Sequence, residues 1–131
     1  MKFKFFSIFV DDQAKALAFY TEKLGFYKQA DLPVGEYRFL TISDTEDPRG
    51  VQVMLEPDEH PVAQSFKQGL YAAGLPVVAF DVEDIHAEVE QLKARGVTIV
   101  QEPTDIGPAI LAVLDDTCGN LIQLAQGKAS E

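Results

Sequence analysis

The stretch 7–26, SIFVDDQAKALAFYTEKLGF, is echoed at 79–97 by AFDVEDIHAEVEQLKARGV, and this echo decides the fold. Each copy reads as a strand ending in Val10 or Val82, then an acidic pair (Asp11-Asp12 or Glu83-Asp84), an amphipathic helix and a glycine, Gly25 or Gly96. Asp12 and Asp84 suit helix N-caps, because a short carboxylate accepts from a first-turn N–H that has no partner within the helix. Glycine suits the stop, because it takes the left-handed backbone on which helices end. Apolar residues three to four apart predict that Leu17, Tyr20 and Leu24 face a sheet in the first copy, and Ile85, Val89 and Leu92 in the second.

Outward from each helix, three β-like runs follow: around FYKQA, YRFLTIS and GVQVMLE in the first copy, and VTIV, AILAVLD and LIQLA in the second. The order β-α-β-β-β therefore occurs twice, which makes the chain α+β, with module 1 over about 1–57 and module 2 over about 75–126. Between them, PDEHPVAQSFKQGLYAAGLP is too long for a plain turn and predicts a connecting helix over about 60–74, through Val62, Phe66 and Leu70. The turn DDTCGN of the second module corresponds to DTEDPRG in the first. A length of 131 residues suits one domain, 1–131, containing both modules.

Eleven Lys and Arg stand against twenty-one Asp and Glu, a formal net charge of −10. Such a balance repels phosphate backbones and anionic lipid and favours cationic partners, so neither nucleic acid nor membrane is expected as a partner. The single cysteine, Cys118, cannot form an internal disulfide. The opening MKFKFFSIFV ends at Asp11-Asp12 without a small-residue cleavage site, so it reads as the first strand of a cytoplasmic protein. No catalytic residue stands out: there is no Ser-His-Asp pattern and no phosphate cradle, no base accompanies Cys118, and Asp115 and Asp116 are the carboxylates a tight turn needs for its own backbone.

The segments VDDQAKALAFYTEKLGF, GVQVMLEP, PVVAFDVEDIHAEVEQLKARGV and DDTCGNLIQLA resemble the vicinal oxygen chelate superfamily, which includes glyoxalase I, extradiol dioxygenases, fosfomycin-resistance transferases and bleomycin-resistance proteins. The resemblance implies two βαβββ modules whose curled mixed sheets surround a cavity, commonly in a homodimer. It also implies that the positions used for metal in the superfamily's enzymes are Phe5, Gln52, Val77 and Gln123 here. Two apolar side chains and two neutral amides offer at most two carbonyl oxygens and no charge, a poor set for a divalent cation, so no metal and no other cofactor is expected. A relocated site through Glu56 and His60 is the alternative, although EPDEHP reads better as a solvated loop and His86 as an exposed helix residue.

Alternation along the strands places Phe3, Phe5 and Ser7, then Gln52, Met54 and Glu56, then Val77, Ala79 and Gln123 toward the cavity; Tyr37 and Phe39 join them on one of two phases open to their strand. Aromatic rings, a polarizable Met and a few amides suit a flat or partly apolar organic molecule with one or two polar edges, and the net charge favours a cationic one. Phe5 and Val77, as bulky apolar groups, are equally able to line the cavity or to close it as a core. Two functions follow: metal-independent binding of a small organic ligand in the cavity or at a dimer interface, or, as the alternative, a glyoxalase-like lyase or dioxygenase relative with a relocated metal. A structural dimer with a collapsed cavity is not separated from the first reading by sequence.

Overall fold

The computed structural model describes residues 1–128. Its elements run β1 (Phe5–Val10), α1 (Gln13–Ala18), β2 (Tyr27–Val34), β3 (Tyr37–Ser43), β4 (Gln52–Pro57), α2 (Pro61–Ala72), β5 (Val78–Asp81), α3 (Ile85–Ala94), β6 (Thr98–Asp105), β7 (Ala109–Asp115) and β8 (Leu121–Gly127). The chain divides into two compact units between Lys67 and Gln68, inside α2. Among the described residues no helix is long and apolar enough to cross a membrane.

The first unit holds a four-stranded mixed sheet in the order β1-β4-β3-β2, with β1 parallel to β4 and the remaining neighbours antiparallel. Asp12 caps α1 by accepting from the Lys15 N–H at 3.0 Å. The helix lies on β3 and β4, and the core on that side is Ile8, Val10, Leu40, Ile42 and Leu55, all nearly inaccessible.

One expectation is corrected here. The helix buries Gln13, Ala16, Phe19 and Tyr20, whereas Leu17 and Leu24 stay partly exposed. Small Ala16 and the hydrogen-bonding Gln13 let the helix approach the sheet more closely than Leu17 would. After Ala18 the coil widens into a π-helical turn over Phe19–Lys23, in which the Leu24 N–H reaches back five residues to the Phe19 carbonyl at 3.2 Å. That wider turn brings the rings of Phe19 and Tyr20 inward together, 5.4 Å apart and nearly perpendicular, and moves Leu24 off the apolar stripe.

The second unit repeats the plan in the order β5-β8-β7-β6. Asp84 caps α3 through the Ala87 N–H at 3.1 Å. The predicted stripe of Ile85, Val89 and Leu92 is buried on the side of the sheet formed by Ala112, Leu114, Ile122 and Leu124. Each such aliphatic side chain contributes about 1.5–3 kcal/mol by leaving water. Both stop glycines have positive φ, 84° at Gly25 and 86° at Gly96.

The turn before β8 is built around Asp116, which is fully buried. Its Oδ1 accepts from the N–H groups of Cys118 (2.7 Å) and Asn120 (3.0 Å), and its Oδ2 from the Asn120 side-chain amide (2.9 Å). Cys118 is buried within that turn, which gives it a packing role.

Candidate functional site

Each sheet is covered by its helix on one side, and strand register defines the residues of the other. In the first unit Phe5 lies beside Gln52, Ser7 beside Met54 and Phe9 beside Glu56. Thr41 pairs with Met54, which puts Tyr37 and Phe39 on this same face, and Leu32 and Val34 lie beside them on β2. Phe5 and Phe39 meet edge to face at 5.9 Å between ring centroids. Phe3, ahead of β1, is exposed and meets Phe6 at 5.7 Å.

In the second unit the uncovered face carries Ala79, Gln123 and Val113 abreast, with Leu111 and Ala125 one step along. Val77 stands just ahead of β5 and donates its N–H to the Leu121 carbonyl at 2.9 Å. The two modules therefore differ by two residues in register: Phe5 is the direct neighbour of Gln52, but the direct neighbour of Gln123 is Ala79 rather than Val77. A two-residue offset preserves the face and changes the neighbour.

The two amides also differ in state. Gln52 is buried; its Oε1 accepts from the Thr41 hydroxyl at 2.7 Å and its Nε2 donates to the Pro48 carbonyl at 3.0 Å. Thr41 Oγ1 in turn accepts from the Ala30 N–H at 3.0 Å, beside the irregularity that β2 carries between Lys28 and Ala30. Gln52 thus ties the loop before β4 to the strands. Gln123 is half-buried, and among the described residues no side-chain hydrogen bond engages it.

None of this suits a divalent metal. Phe5 and Val77 carry no donor atom, and the Gln52 oxygen is already directed at a hydroxyl. Among the described residues no three His, Cys, Asp or Glu side chains gather closely enough to hold a metal ion. Of the alternative pair, His60 uses Nδ1 to accept from the Val62 N–H at 3.1 Å.

His60 instead lines a groove that local sequence patterns do not reveal. A groove of about 580 Å³ is lined by Phe9, His60, Val62, Ala63 and Phe66, at the Glu56 end of the uncovered face. The helix α2 turns Ala63 and Lys67 inward and leaves Val62 70% and Phe66 50% exposed. Lys67 lies under the helix, where it pairs with Asp58 at 2.7 Å. Val62, Ala63 and Phe66 of α2 all line the groove. Phe9 has the same strand parity as Phe5 and Ser7, and that was the available signal for it.

Two carboxylates adjoin lining residues of the groove by strand register and by sequence. Glu56 is the neighbour of Phe9, and Glu59 precedes His60; among the described residues neither has a basic partner at ion-pair distance. A hydrogen bond to the Glu59 carboxylate, then desolvation and the charges of Glu59 and Glu36, raise the Tyr37 phenol above its ordinary pKa. Glu56 and Glu59 thus put negative charge near these apolar side chains.

Each module thus lays one helix on a four-stranded sheet. The model of the Glyoxalase/Bleomycin resistance protein/Dioxygenase superfamily matches residues 2–124. The chain belongs to this superfamily. A protein of Bacillus subtilis (strain 168), YurT, is 49% identical over 126 residues, which cover 96% of this chain and 99% of YurT. Among solved structures, UcmS2 is 33% identical with a TM-score of 0.81, covering 95% of this chain and 97% of its own. TnmS3, an antibiotic binding protein from Streptomyces sp. CB03234, is 25% identical with a TM-score of 0.74, covering 98% of this chain and 97% of its own. A fold shared by glyoxalases, resistance proteins and dioxygenases leaves the chemistry to be argued from the site.

Proposed function

We propose that this member of the superfamily binds a small, flat, cationic organic molecule without a metal, as a cytoplasmic homodimer. The observation that carries the reading is the groove lined by Phe9, His60, Val62, Ala63 and Phe66, with Glu56 the strand neighbour of Phe9 and Glu59 the residue before His60. Its volume is within the range of small-molecule sites. Phe5, Ser7, Tyr37, Phe39 and Met54 extend the apolar surface along the uncovered face, and Gln123 offers an unengaged amide on the face of the second module. Val77, which has no donor atom, contributes only apolar surface.

The unsuitability of Phe5, Val77 and the engaged Gln52 for a divalent cation supports metal independence. A homodimer is supported by Phe3, Phe6, Leu32 and Val34, apolar side chains left exposed on one chain. The likeness to TnmS3, an antibiotic binding protein, supports ligand binding as the activity. A single cysteine is compatible with a reducing compartment.

The test is a fluorescence titration in EDTA with berberine, a flat aromatic cation, and with fluorescein, a flat anion. Berberine should bind and fluorescein should not, and Phe66→Ala should weaken berberine by about tenfold through lost aromatic surface. Equal binding of both dyes, or binding of berberine only after a divalent metal is added, would overturn the proposal.

A further inference from the structure

We infer that Gln13 is a positioning residue: its amide is wedged between β3 and β4, holds the outer halves of these strands apart, and so sets the width of the binding face of the first module. The inference rests on the ligand reading above and concerns which ligand shapes are admitted.

Both strands run well past their shared ladder, which comprises only Thr41 with Met54 and Ile42 with Val53. Beyond it the backbone turns to Gln13. The Nε2 of Gln13 donates to the carbonyls of Arg38 (2.7 Å) and Leu55 (2.8 Å), and its Oε1 accepts from the Arg38 N–H (3.0 Å). Gln13 is 8% exposed, and its amide replaces direct bonds between the strands with bonds to itself. Continuing the observed register would set Phe39 beside Glu56 and Arg38 beside Pro57, a residue with no N–H to give. Pro57 thus ends any closure at the Arg38 step, and the Gln13 amide is what keeps the Phe39–Glu56 step open.

The second module supplies the control. Its corresponding strands, β7 and β8, stay paired from Asp115 with Leu121 to Ala109 with Gly127. The residue that follows its helix cap, in the place of Gln13, is Ile85, which is buried and has no side-chain amide to insert. The open seam of the first module separates Phe39 from Glu56 at the end of the face where the groove lies. A thick ligand needs that separation and a flat one does not.

The test compares berberine with tetraphenylphosphonium, a cation whose four rings cannot lie in one plane, on wild-type protein, Gln13→Met and Gln13→Glu. Gln13→Met keeps the volume but makes no bridge, so the strands should close and the affinity for tetraphenylphosphonium relative to berberine should fall by about fivefold, the scale of a hydrogen-bond difference. Gln13→Glu keeps an acceptor for the Arg38 N–H but presents a carboxylate to two carbonyls, so the ratio should move the opposite way. An unchanged ratio in either folded variant overturns the inference, and the Glu variant decides alone if the Met variant does not fold.

If wild-type protein binds neither cation, the ligand reading fails and the wedge is judged by NMR. New Phe39–Glu56 backbone contacts in Gln13→Met, absent from wild type, support it. The same contacts in both proteins, or in neither, overturn it.

Discussion

In the first module an amide on the helix, Gln13, reaches the backbone of two strands; in the second an amide on the sheet, Gln126, reaches the backbone of the helix, where its Oε1 accepts from the Ile85 N–H at 2.8 Å. The positions are exchanged: Gln13 and Leu55 in one module correspond to Ile85 and Gln126 in the other, counted from the caps Asp12 and Asp84 and from Gln52 and Gln123. Both arrangements satisfy buried polar groups, yet one splits a sheet and the other leaves it zipped. A repeated backbone plan thus yields one module with an open seam and groove and one with a continuous sheet. The side on which the amide sits makes the difference.

The largest effect that tests this contrast lies in the helices. Tyr20→Ala should cost about 3–5 kcal/mol and Leu92→Ala about 2–5, since both side chains are fully buried, and Leu17→Ala less than about 1. Chemical denaturation measures all three. A cost for Leu17→Ala equal to that of Tyr20→Ala would mean that both helices share one phase and the π-helical turn is absent. Next comes Ile85→Gln, which brings an amide to a zipped sheet with no backbone group waiting for it. The expected cost is about 1–3 kcal/mol beyond lost packing. Neutrality there would remove the distinction between the two seams.

A smaller change is expected from Gln126→Leu, about 1 kcal/mol for one hydrogen bond to a helix start. The smallest concerns the β2–β3 hairpin beside the open seam. A hydrogen bond from Arg38, then its charge and that of Lys28, hold the Asp31 carboxyl below its ordinary value against an opposing desolvation. A depressed carboxyl adds stability above its unfolded pKa and loses it as pH falls through the folded value. The melting-temperature difference between wild type and Asp31→Asn should therefore persist at neutral pH and close below about pH 4. A constant difference down to strongly acidic pH would show that the ion pair is not its source.

Much of the fold was legible because caps, stops and periodic apolar residues act locally. Asp12 and Asp84, Gly25 and Gly96, and the Ile85, Val89 and Leu92 stripe all take the places their chemistry requires. Strand parity put Phe5, Ser7, Gln52, Met54 and Glu56 on one face, as alternation dictates. What escaped depended on partners distant in sequence. The inward turn of Ala16 accompanies the bonds of Gln13 to Arg38 and Leu55, and the outward turn of Val62 and Phe66 accompanies the pairing of Lys67 with Asp58. Likewise Gln52 and Gln123 look equivalent as letters, but only one has a threonine hydroxyl across the strand.

The most direct measurement of the central claim is an NMR titration of labelled protein with berberine in EDTA. The account predicts that the largest shifts fall on Phe9, Met54, Val62 and Phe66 in the first module, with little change at Val89 and Leu92 under the second sheet. Absence of shifts at the groove, or shifts that appear only when a divalent metal replaces the chelator, would contradict it.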